Sequence, residues 1–168
     1  MAIPMVQKRE GKTLMVELIG YIGENSPLFD LSLFKIEKLV IDLGKVSYIN
    51  SVGIKNWILW SRKIPKECQL TLFRVPPSIV NQINVVAGFL PTHAVVESIL
   101  VPYYCDTCSK EDTIVYEKGK HYTLTNGEVK GTVVHPKDIK CGKSECTYTI
   151  DILQSKYFKF IKIPRVGT

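Results

Sequence analysis

The eighteen residues Val40 to Trp57, "VIDLGKVSYINSVGIKNW", decide the fold. Leu39, Val40, Ile41 and Leu43 form a nearly continuous apolar run, which reads as a central strand. From Ser51 the period changes. Ile54, Trp57, Ile58, Ser61 and Ile64 recur at spacings of three and four, so the segment Ser51 to Ile64 presents one helix face, and Pro65 ends it. Between the two lies Asn50-Ser51-Val52-Gly53. A serine at such a handover can cap the helix, hold a phosphate or begin a catalytic site.

Working outward, the flanks repeat the alternation. "MVQKREG" and "KTLMVELIGYIG" flank Gly11-Lys12 and read as a hairpin, whereas "NSPLFDLSLF" is a turn or one or two helical turns. "QLTLFRV" is the next strand. Pro77 then opens a second helix carrying Ile79, Val80, Ile83, Val86 and Ala87, with Gly88 at its stop, and "AVVESILVPYY" reads as one further strand. Strands alternating with helices predict an α/β fold, a mixed sheet with helices packed on it.

Beyond Pro102 the helical period disappears. "TIVYEKG", "HYTLTNG", "KGTVVH", "CTYTIDIL" and "YFKFIKI" are short β-like runs between turn residues, the pattern of a small antiparallel module. The sequence therefore divides into residues 1–100 and 101–168.

This second part holds four of the five cysteines, Cys105, Cys108, Cys141 and Cys146, as Cys-x-x-Cys and Cys-x-x-x-x-Cys with 32 residues between the pairs. Two thiolates on one tight turn can share an ion, and two such turns complete the sulfur tetrahedron that structural Zn²⁺ takes. With four protein ligands there is no open position for catalysis, so a zinc-ribbon-like module with structural zinc is expected. Structural zinc can supply on the order of 10 kcal/mol to the folding of a small module. A thioredoxin-type pair would place Cys105 at a strand-to-helix junction, which is not visible, and two disulfides suit an exported protein. Cys68 reads as a buried thiol.

Net charge is +6, spread as 11 basic and 8 acidic residues on each side of Leu100, so no basic block marks a nucleic-acid surface. The N-terminal "MAIPMVQKREGK" lacks a signal-peptide core, and no apolar run approaches the roughly 20 residues of a membrane span, so a cytoplasmic protein without membrane insertion is expected. The three histidines carry no motif, no nucleophile–base–acid set is readable, and a non-enzymatic protein is expected.

Val40-Ile41-Asp42-Leu43, then Asn50-Ser51-Val52-Gly53-Ile54, and later "VPPSIVNQINVVAGF" resemble the two signatures of the STAS domain, the anti-sigma-factor-antagonist family, over Met5 to Leu100. The resemblance implies a STAS-like mixed sheet and a signalling protein that binds a protein partner, an anti-sigma-factor-like serine kinase, and is switched by phosphorylation of Ser51. Asn50 stands where the family often has Asp. On this reading Ser51 caps the helix, and a phosphate there would meet free amides and the positive dipole end. Asn50, Ser51, Gly53 and a partly exposed Trp60 would form the partner surface, with Trp57 in the core. The alternative is a nucleic-acid-binding zinc ribbon regulated by a STAS-like domain, in which Tyr103, Tyr104, Tyr116, Tyr122 and Tyr148 stack on bases.

Overall fold

The computed structural model describes residues 5–142 and 145–164. The sequence reading of the first four residues, and of Lys143 and Ser144 in the second cysteine turn, lies outside them.

Strands β1 (Met5–Glu10) and β2 (Thr13–Ile22) form the expected hairpin. Gly11 at φ +60 supplies the left-handed turn position that a side chain would resist. Next come β3 (Lys38–Ile49), α1 (Ser51–Ser61), β4 (Gln69–Phe73), α2 (Pro77–Val85) and β5 (Ala94–Val96). The sheet order is β1-β2-β3-β4-β5, with β1 antiparallel and the remaining pairs parallel. Leu39, Ile41 and Leu43 of the central strand are wholly buried. They share one core with Trp57 of α1 and with Ile79 and Val80 of α2. Successive crossovers that all step the same way across a sheet place their helices on the same face. That leaves the opposite face without a helix layer.

"AVVESILVPYY" is two strands. After β5 the chain turns at Glu97, which pairs with Lys118 at 2.7 Å, and continues as β6 (Ser98–Cys105) in a second sheet. This sheet, ordered β7-β6-β8 with β7 (Lys110–Glu117) and β8 (Thr149–Ile150), is antiparallel throughout. Strand β6 runs across Pro102, and its Ile99 and Val101 belong to the same core as the first sheet.

Two C-terminal expectations need correction. "YFKFIKI" forms helical turns, α3 (Gln154–Tyr157) and α4 (Lys159–Lys162), rather than a strand. Tyr157, Phe158, Phe160 and Ile161 are its buried residues, and spacings of one, three and four make a helix face where a strand would bury alternate positions. "HYTLTNG" and "KGTVVH" form no extended strands; they meet at the isolated bridge Tyr122↔Val133 and through the Gly131 amide, which donates to Thr125 Oγ1 at 2.8 Å. Asn84 of α2 clamps the C-terminal turns: its Nδ2 donates to the Tyr157 carbonyl, and its Oδ1 accepts from the Phe160 amide, both at 2.8 Å. The Tyr157 hydroxyl donates to the Leu100 carbonyl at 2.5 Å.

No helix among the described residues is long and apolar enough to cross a membrane.

Candidate metal centre and the Ser51 junction

Strand β6 ends in Cys105, and the β6–β7 turn returns Cys108 towards it, with Ser109 at φ +53 completing the reversal. The second turn is closed by the Lys140↔Thr147 bridge and by the Cys141 amide, which donates to the Cys146 carbonyl at 3.2 Å. Gly142, at φ +96, takes a conformation that side chains disfavour. The four sulfurs consequently lie within 4.8 Å of one another, with Cys105, Cys141 and Cys146 buried. Cys108 and Cys141 Sγ are 3.5 Å apart, Cys141 and Cys146 Sγ 2.6 Å, and all are free thiols.

Four soft donors converging from two tight turns can hold a single metal ion. Tetrahedral Zn–S bonds of about 2.3 Å set sulfurs roughly 3.8 Å apart, so an ion requires Cys141 and Cys146 to separate by about 1 Å. The electrostatics favour a cation. Burial pushes the Cys105 thiol up, but donated hydrogen bonds, led by the Cys108 amide, outweigh it and bring Cys105 down to about 6. Cys108 is raised, first by its hydrogen bond with Cys105, and Cys146 is pushed up to about 12, first by its hydrogen bond with Cys141. One thiolate holds protons on its neighbours, and a divalent ion would replace those protons.

Neither His121 nor His135 joins the sulfurs. His121 Nδ1 accepts from the Glu117 amide at 3.1 Å, and His135 Nδ1 meets the Tyr116 hydroxyl at 2.8 Å. The Tyr116 hydroxyl is also 2.6 Å from that of Tyr103. This chain of two buried tyrosines and a half-buried histidine had no sequence signal beyond the residue types. Tyr103, Tyr116 and Tyr122 are core residues, which removes them from any base-stacking surface. Cys68 is buried and alone, and burial raises its thiol above the ordinary value.

At the strand-to-helix junction the cap is Asn50, not Ser51. Asn50 Oδ1 accepts from the Gly53 amide at 2.7 Å, and its extended backbone, φ −89 and ψ 174, suits a residue just outside the helix. Ser51 is therefore the first helical residue. Its side chain is exposed, and its hydroxyl makes no hydrogen bond among the described residues. Gly53 is buried, and a Cβ there would collide with the Ile22 carbonyl oxygen, so the glycine lets α1 start against the end of β2.

Trp60 is also corrected. It is only 4% exposed, because the 3₁₀ turn at Pro27–Asp30 folds over α1 and brings Phe29 to 6.5 Å from its ring. Trp57 is fully buried as expected, with Nε1 donating to the Phe89 carbonyl at 2.8 Å. The exposed apolar residues near this end are instead Val52 and Leu59 on α1, and Tyr21 and Tyr48 on the sheet.

No family model and no curated protein matches this chain. Among solved structures, a chain described as "Crystal Structure Analysis of Mglu" is similar over 37% of this chain and 17% of its own, at 24% identity and a TM-score of 0.32, an overlap too small to carry an argument.

Proposed function

We propose that the protein is a non-enzymatic, cytoplasmic regulatory protein of the STAS, anti-sigma-factor-antagonist type. It binds a serine-kinase-like partner through the loop and helix that begin at Ser51. The observation that carries this reading is the division of labour at the junction: Asn50 performs the capping, and the adjacent Ser51 hydroxyl is left exposed and uncommitted. A phosphate on Ser51 would add about −1.5 to −2 charges at a helix N-terminus that accommodates them, and would disrupt a docked partner through bulk and repulsion. In the same proposal Cys105, Cys108, Cys141 and Cys146 hold a structural Zn²⁺ in a zinc-ribbon-like module; their convergence within 4.8 Å supports it.

The test incubates the protein with candidate kinase-type partners and measures binding by wild type, Ser51→Ala and Ser51→Asp, alongside phosphate incorporation at Ser51. Wild type and Ser51→Ala should bind, and Ser51→Asp should bind at least tenfold more weakly. Equal binding by all three, or phosphate elsewhere, overturns the switch.

A further inference from the structure

Parallel strands are ordinarily covered on both faces, because the helices that cross over between them pack there. Here α1 and α2 cover one face of the five-stranded sheet. On the other, Val6, Met15, Val40 and Phe73 line an open groove of about 400 Å³ across β1 to β4. Val6 is 56% exposed and Phe73 37%. Towards the carboxyl ends of β2 and β3 on the same face, Tyr21 and Tyr48 stand out as a stacked pair, centroids 5.2 Å apart and planes within 7°. The face thus carries both an apolar hollow and a rigid aromatic ridge.

Its charges indicate what fits. The Arg74 guanidinium lies over Gly44, where a Cβ would come within 2.7 Å of its Nε. It reaches Asp42 at 2.6 Å and Glu17 at 3.3 Å, and Lys45 reaches Glu17 at 3.1 Å. Lys8, which also lines the groove, reaches Glu10 at 2.6 Å, so three cations and three carboxylates pair off into a neutral stripe. Such a stripe offers no attraction to a polyanion, an anionic membrane or a strongly charged peptide. It is matched by a surface equally neutral, apolar and already paired.

We propose that a second copy of this chain covers this face, sheet against sheet across a two-fold axis. A two-fold axis lying across the strands would place the ridge of each copy over the hollow of the other, each contact of residue i with residue j being repeated in reverse. Five strands at about 4.8 Å spacing make a face roughly 24 Å wide, enough for the order of 800 Å² per partner that a stable interface buries. Face-to-face sheets packed about 10 Å apart then restore the missing layer.

Sedimentation equilibrium of the full chain from about 1 to 200 µM, a range that brackets ordinary reversible dimers, reads the outcome. Wild type should be a dimer in the upper part of that range. Val6→Glu and Phe73→Glu should raise the dissociation constant at least tenfold, and Val85→Glu, at a 75% exposed position on α2, should leave it unchanged. Methyl NMR of the wild type supplies a reading that needs no variant: signals of Val6, Met15 and Val40 should shift on dilution and that of Val85 should not. A wild type monomeric throughout, a dimer indifferent to the two face substitutions, or dilution shifts elsewhere on the surface would overturn the proposal. None of these outcomes depends on Ser51 or on a metal.

Discussion

Asn50 Oδ1 holds the Gly53 amide at 2.7 Å, one residue away from a serine whose hydroxyl holds nothing among the described residues. Capping energetics should follow the same division. Asn50→Ala should cost about 1 kcal/mol, and Ser51→Ala less than about 0.5 kcal/mol. Urea unfolding of both variants measures this, and a Ser51→Ala loss equal to that of Asn50→Ala would reverse the assignment.

Gly53→Ala tests how closely α1 approaches β2. Its methyl would enter the space of the Ile22 carbonyl and press on Ile49. Overpacking of this kind costs about 1–3 kcal/mol, more than any gain in helix propensity returns. Thermal unfolding should show a lowered midpoint. An unchanged or raised midpoint would mean the helix can shift freely.

Legibility differed along the chain for physical reasons. The β3–α1 handover was plain because its apolar period switches from continuous to helical at a residue that can cap. The choice between Asn50 and Ser51 as the cap was not, since both side chains suit the position and only the backbone decides. Trp60 looked exposed because a helical stripe records one face, while its cover, the turn at Pro27–Asp30, comes from a segment with no clear period. The paired cysteine spacings led directly to the sulfur cluster. Tyr157 to Ile161 were misread for composition: aromatic and β-branched residues favour strands, but their spacing of one, three and four outweighs that preference.

Metal analysis should find one Zn²⁺ per chain after growth with zinc. Cys105→Ser or Cys146→Ser should retain less than about a tenth of it, a measure of losing one thiolate from four. The sulfurs form a cluster separate from the main core. Chelation should therefore speed hydrogen exchange around Cys105–Lys110 and Cys141–Thr147 and leave β2, β3 and β4 protected. Equal deprotection of both sheets would show that the ion supports the entire chain.

Asn84→Ala removes a donor and an acceptor at once, leaving the Tyr157 carbonyl and Phe160 amide without their partner. A cost of about 2–3 kcal/mol is expected from the two lost bonds. Limited proteolysis should then cleave first between Leu153 and Lys162. Unchanged resistance there would mean that apolar packing alone retains the C-terminal turns.

Strand β6 gives its first residues to the core beneath α2 and its last to the sulfur cluster, without a break at Pro102. Scissors applied at that proline would not release two tidy halves. The first fragment would forfeit Tyr103 and Tyr116 and the second would lose Ile99 and Val101, each exposing greasy surface that its former neighbour had shielded. Transplanting either half into another protein therefore calls for the whole strand to travel with it, from Ser98 through Cys105.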